Sequence, residues 1–137
     1  MASKRFIVMG EPKGKARARV TRFGTYTPEA TVMYENLVKI EYRQQCRDYR
    51  FPDNTPLRMK VVAEFTIPAS SSKAKRIQML NGTIRPTKKP DWDNVGKIVS
   101  DALNKIAYKD DSQIVECTVI KKYSGQPKVT VTLEGAP

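Results

Sequence analysis

Histidine is missing from the chain altogether, and no other absence narrows the chemistry so far. Ser-His and Cys-His nucleophilic catalysis, imidazole general bases and His-ligated zinc are all excluded. Any metal must sit on oxygen ligands, which favours Mg²⁺, with Mn²⁺ as its substitute. Cysteine is nearly as scarce. Cys46 and Cys117 stand far apart without a close-spaced partner, so neither a zinc ribbon nor a disulfide framework is supported. Both are expected to be reduced and packed in the core, as free cysteines commonly are. No run of about 18 apolar residues is present, and Met1 to Gly10 is too short and too polar for a signal peptide. The expectation is a cytoplasmic protein with no membrane partner.

Acidic residues are the other shortage. Fourteen Asp and Glu face 25 Lys and Arg, which leaves a net charge of +11 over 137 residues. That imbalance points to a polyanionic partner. The length suits one domain, residues 1–137, with a hydrophobic core that needs no covalent or metal staple.

Along the chain, Arg5 to Met9 reads as a first strand ended by Gly10 and Pro12. Lys13 to Tyr26 then carries Lys13, Lys15, Arg17, Arg19 and Arg22 with no acidic residue, before the turn signal Phe23-Gly24. If extended, the first four basic residues share one side and make a ribbon able to track a phosphate backbone. The plain alternative is a solvated flexible loop. Thr27-Pro28-Glu29 is a helix start with Thr27 as cap. That helix is expected to run to about Asp48 and to serve for packing, with Met33, Leu37, Ile40 and Gln44 marking one face and Val38 and Tyr34 beside it. Phe51 to Pro56 is a loop. Leu57 to Ile67 alternates apolar and polar residues as a half-buried strand does. Ala69 to Pro90 is a second basic segment, with Lys73, Lys75, Arg76, Arg85, Lys88 and Lys89 and no acid. Within it, Ser72 to Leu80 can form two helical turns closed by Asn81-Gly82. Ile114 to Tyr123 and Lys128 to Leu133, joined by SGQP, read as a terminal hairpin, and Gly135 to Pro137 as a loose tail.

Lys88 to Gln113 is the stretch on which function turns. With Asp93 at 0° on a helical wheel, Val95, Ile98, Val99, Ala102, Leu103 and Ile106 fall between about 140° and 280°, one buried stripe. Asp93, Lys97, Asp101 and Asn104 lie within about 80° on the other side. Taken singly, Asp91 and Asp93 are ordinary helix-start residues, and Asp110-Asp111 is an ordinary turn pair. Together they invert the charge of a strongly basic chain locally. A divalent cation would resolve that conflict, ligating carboxylates on one side and phosphate oxygens on the other. Lys97, one turn beyond Asp93, is then placed to stabilise charge in the transition state. Trp92 is expected to pack inward, as apolar residues beside helix starts often do.

The run PDWDNVGKIVSDALNKIAYKDDSQIVE resembles the core signature of the RusA-like Holliday junction resolvases, phage-associated endodeoxyribonucleases, in its D-x-D-N-x-x-K start, D-A-L-N centre and Y-K-D-D-S-Q-I end. Upstream, PKGKARARV and TYTPEATVMYENLV resemble that family's basic segment and following helix. The resemblance implies that Asp91, Asp93 and Asp111 are the catalytic, metal-binding carboxylates, that Lys97 is the catalytic lysine, and that Asp101 and Asp110 are neighbours of lesser role. It further implies Mg²⁺-dependent cleavage of four-way DNA junctions by paired, symmetric incisions in recombination and repair. With the elements read above, the expected fold is α+β: one small domain with a mixed, largely antiparallel sheet and two main helices, assembled as a homodimer.

If Asp93 to Ala107 were one straight helix, it would span about 21 Å, and four further residues could return at most about 14 Å. Either the helix stops early or Asp111 completes the site from a partner subunit, and a two-fold dimer on a two-fold junction favours the second. The rival to the whole reading is a non-enzymatic, basic nucleic-acid-binding protein whose aspartates only cap and turn.

Overall fold

A computed structural model describes residues 2–137. Six strands and three helices follow in the order β1 (Ser3–Met9), β2 (Arg19–Thr21), β3 (Gly24–Tyr26), α1 (Glu29–Cys46), β4 (Leu57–Thr66), α2 (Lys73–Leu80), α3 (Trp92–Ala102), β5 (Ile114–Ser124) and β6 (Lys128–Gly135). The main sheet has the order β1-β6-β4-β5, and β2 and β3 form a separate two-stranded ribbon. β4 pairs antiparallel with β6 and parallel with β5, while β1 pairs antiparallel with β6. The sheet is therefore mixed, with two antiparallel pairings and one parallel. Among the described residues no helix is long and apolar enough to cross a membrane.

β4 takes the centre because its alternation is the most regular: Leu57, Met59, Val61, Ala63 and Phe65 are all buried. Val129, Val131 and Leu133 of β6 and Phe6 and Val8 of β1 continue the same face. Against it lie Val38 and Tyr42 of α1 and Val95, Ile98, Val99 and Ala102 of α3, forming one core. The other face is polar; there Arg58 pairs with Glu116 at 2.8 Å and Glu134 at 3.5 Å.

Five expectations are corrected. β5 and β6 do not form a hairpin, because β4 lies between them. The chain leaves β4, passes through α2 and α3 and returns as a parallel neighbour, as a helical crossover permits. The short Gly125–Pro127 link then steps across the end of β4, with Pro127 O accepting the Gly10 N–H. A pair of strands and a short link cannot disclose a third strand between them.

The packing face of α1 is centred on the stripe expected only to flank it. Tyr34, Val38, Tyr42 and Cys46 are buried, whereas Met33, Leu37 and Ile40 are exposed. The helix carries two apolar stripes, and the larger side chains win: Tyr42 meets Phe6 edge-on, ring centroids 5.4 Å apart, and its hydroxyl donates to Tyr49 O. Pro28, not Thr27, occupies the cap position, without a side-chain bond. Cys117 is exposed, unlike buried Cys46, because β5 is an edge strand. Finally, the tail is held: Ala136 is buried and its N–H donates to Pro56 O at 2.9 Å. α2, capped by Ser72 Oγ on the Lys75 N–H, is a short third helix beside the two main ones.

Candidate active site

α3 presents the candidate residues of the acidic motif. Its apolar stripe faces the sheet, and Gly96 lets it approach β5 so closely that a Cβ there would lie 3.2 Å from Val119 Cγ2. The opposite face carries Asp93 and Lys97 at the surface and Asp101 partly covered. Asp91 stands at the cap position, extended and without a capping side-chain bond, and Asp93 Oδ1 accepts the N–H of Asn94 at 3.0 Å. Trp92 between them is 65% exposed, not packed inward. The buried stripe of α3 begins at Val95, so a side chain at position 92 has no core to enter.

α3 stops at Ala102, well short of Ala107, and this removes the premise that kept Asp111 away. Lys105 adopts a left-handed φ of 65°, and its N–H closes onto Tyr108 O at 2.8 Å. Buried Tyr108 donates its hydroxyl back to Ser100 O at 2.6 Å. The chain thus doubles back along the helix it has just left. Asn104 Oδ1 accepts the Asp111 N–H at 2.8 Å. Residues Asp111–Gln113 form one 3₁₀ turn, whose start is closed by a reciprocal box between Asp110 and Gln113. As a result Asp93, Lys97 and Asp111 of a single chain line one cavity of about 270 Å³, with Trp92, Gly96 and Ser100 beside them. The early stop does what a partner subunit was expected to do for Asp111.

The electrostatics centre on Asp101. Its Oδ2 lies 3.3 Å from Lys15 Nζ and 3.5 Å from Lys97 Nζ. The Asp111 carboxyl is pushed above the usual carboxylate range, by burial first and then by a hydrogen bond to Asp101 and that group's charge. Asp110, in contrast, is fully exposed and held below it, by its bonds to Ser112.

Asp93 and Asp111 can hold a hard divalent cation that keeps most of its waters, as Mg²⁺ often does with one or two carboxylates plus a phosphate. Burial and the charge of Asp101 both disfavour an ionised Asp111, a cost that such a cation would offset. Asp91 does not line that cavity; it borders a neighbouring groove of about 680 Å³ with Lys13, Lys15 and Arg17. Among the described residues no three carboxylates or cysteines already stand at ligating distance of one point.

Of the basic residues expected to grip nucleic acid, Lys13, Arg17, Arg19 and Arg22 are exposed, and so are Lys73, Lys75, Arg85, Lys88 and Lys89. Arg17 to Arg22 lead into the β2–β3 ribbon, where the Arg22 guanidinium sits 4.9 Å over the Phe23 ring. Two are engaged inside the fold instead. Arg76 donates to Ser71 O at 3.3 Å and Ala69 O at 3.1 Å, and Lys15 is tied to Glu35 and Asp101.

Sequence reasoning gave no role to Gln113, Asn104 or Glu35. Gln113 was legible, because Asp110-x-x-Gln113 is the spacing of a capping box; Glu35 left no local signal.

The family model described as endodeoxyribonuclease RusA matches residues 9–134. The chain is also 34% identical over 133 residues to the uncharacterized protein YqaN of Bacillus subtilis (strain 168), with 94% of each chain covered. The match spans both basic segments, α3 and the Asp110-Asp111 turn, and the chain belongs to the RusA endodeoxyribonuclease family.

Proposed function

We propose that the protein is a divalent-metal-dependent, structure-selective endonuclease that resolves four-way DNA junctions by paired symmetric incisions. The observation that carries this reading is the meeting of Asp93, Lys97 and Asp111 on one cavity in a chain of net charge +11. Asp93 and Asp111, with Asp91 from the adjoining groove, would hold Mg²⁺ or Mn²⁺, which supplies Lewis acidity and a water of lowered pKa. Lys97, exposed at the cavity rim, then stabilises negative charge developing on the phosphoryl oxygens. The exposed basic residues of the arm and of the segment before α3 hold the DNA backbone.

A homodimer matches two cuts to a two-fold junction. Its support in the fold is the exposed stripe Met33, Leu37 and Ile40 on α1, which lines a groove of about 600 Å³ with Lys13 and Tyr34. The test is incubation of purified protein with labelled four-way junction and with linear duplex of the same sequence, in Mg²⁺ or EDTA. Metal-dependent nicks in opposed junction strands support the reading. Salt-sensitive binding without any nicking supports the rival, a binding protein with structural aspartates.

A further inference from the structure

Lys15 belongs by position to the basic arm, yet its ammonium faces two carboxylates. Nζ lies 2.8 Å from Glu35 Oε2 of α1 and 3.3 Å from Asp101 Oδ2 of α3, and only 20% of the side chain is exposed. The backbone around it is held as firmly. The Lys15 N–H donates to Asn94 O at 2.8 Å, and a Cβ on Gly14 would come 2.6 Å from Pro90 Cβ. The segment is pressed against the start of α3, so the ammonium cannot turn to a phosphate without abandoning both carboxylates.

Asp101 Oδ2 also lies 3.5 Å from Lys97 Nζ. Two ammonium groups therefore share one oxygen, but unequally. Lys15 is enclosed between two helices, whereas the Lys97 side chain is 59% exposed and borders the cavity with Asp93 and Asp111. With Lys15 present, Asp101 has a partner on its inner side and its hold on Lys97 is weak and exposed to solvent. Without Lys15, Lys97 would be the only cation beside Asp101 among the described residues, and the carboxylate would draw it away from the cavity.

We infer that Lys15 is a positioning residue: by satisfying Asp101 from the α1 side, it leaves the Lys97 ammonium free to engage the scissile phosphate. This rests on the proposed reading of the site and reassigns Lys15 from DNA contact to the catalytic framework. Glu35 completes the device, since it keeps Lys15 seated between the helices.

The test compares wild type, Lys15→Met, Arg19→Met and the double variant Lys15→Met/Asp101→Asn in junction binding across salt concentrations and in single-turnover cleavage. Lys15→Met should slow cleavage about tenfold, short of the roughly 10²- to 10³-fold cost of deleting a transition-state donor outright. Its affinity and the slope of log K against log salt should match wild type, while Arg19→Met, an arm contact, should lower the slope by about one. Adding Asp101→Asn to Lys15→Met should recover most of the lost rate, because the carboxylate that captures Lys97 is gone. A Lys15→Met variant whose slope falls as that of Arg19→Met does, or whose rate the second substitution fails to recover, overturns the inference while the nuclease reading stands. If wild type cuts no junction, both fall together.

Discussion

Gln113→Leu tests how the Asp111 turn is held. The Gln113 amide joins two loops. Its Oε1 accepts the N–H groups of Lys109 and Asp110 at 3.1 and 3.3 Å, and its Nε2 donates to Pro52 O and Thr55 O at 3.2 and 3.1 Å. Leucine has nearly the same volume and none of these bonds, so four partly buried backbone groups lose their partner at once. Such bonds contribute about 0.5–1.5 kcal/mol each, and water reaching the outer pair reduces the sum to about 2–4 kcal/mol. At roughly 3 °C per kcal/mol for a domain of this size, the melting temperature should fall by about 6–12 °C. Cleavage should fall further than stability accounts for, because Asp111 sits in the same 3₁₀ turn. The assay is thermal melting followed by single-turnover junction cleavage well below the variant's transition. A melting temperature within about 2 °C of wild type, or an undiminished rate, would refute the claim that Gln113 sets the Asp111 turn.

Asp111→Asn should raise the melting temperature of the metal-free protein at neutral pH. Because burial and Asp101 raise the Asp111 carboxyl in the fold, the native state binds its proton more tightly than the unfolded chain. Its contribution to stability therefore falls as pH rises from the unfolded value, about 3.9, through the raised folded value, and stays lost above it. The gain from Asn should vanish below about pH 4, and a gain that persists there contradicts the cause. Gly14→Ala should cost about 1–3 kcal/mol in denaturant melts, since its Cβ would meet Pro90 Cβ at 2.6 Å and Asn94 Cβ at 3.2 Å; an unchanged midpoint would mean that the arm is not docked there. Trp92 is the only tryptophan, so its fluorescence reports one place. Iodide should quench it readily in dilute protein and poorly once four-way junction is bound, whereas shielding in dilute protein without DNA would contradict its exposure.

Much of the sheet and of the candidate site can be read from residue order, and the failures have physical causes. β4 and α3 are legible because each carries one unambiguous apolar period. α1 is not, because Met33-Leu37-Ile40 and Tyr34-Val38-Tyr42 are both valid stripes and only the partner surface chooses between them. Strand order is hidden for a similar reason: β5 and β6 show their inward faces but not the insertion of β4. The end of α3 at Ala102 depends on buried Tyr108 bonding back to Ser100 O, a contact between residues eight apart that helical periodicity does not encode. The Glu35–Lys15–Asp101 cluster joins three separate segments, so charge and alternation along one segment do not disclose it. The acidic motif itself remained legible throughout, because its residue types and spacing carry it.

The central claim is that Asp93 and Asp111 of one chain form a metal-dependent phosphodiesterase site. Its most direct test is single-turnover cleavage of a four-way junction by wild type, Asp93→Asn and Asp111→Asn, each in Mg²⁺ and in EDTA, with junction binding measured on the same preparations. Wild type should nick opposed strands only with Mg²⁺, and both variants should bind the junction at least as tightly while cutting at least about 10²-fold more slowly. Cleavage by either variant at the wild-type rate, or no cleavage by wild type with any divalent cation, would contradict the assignment.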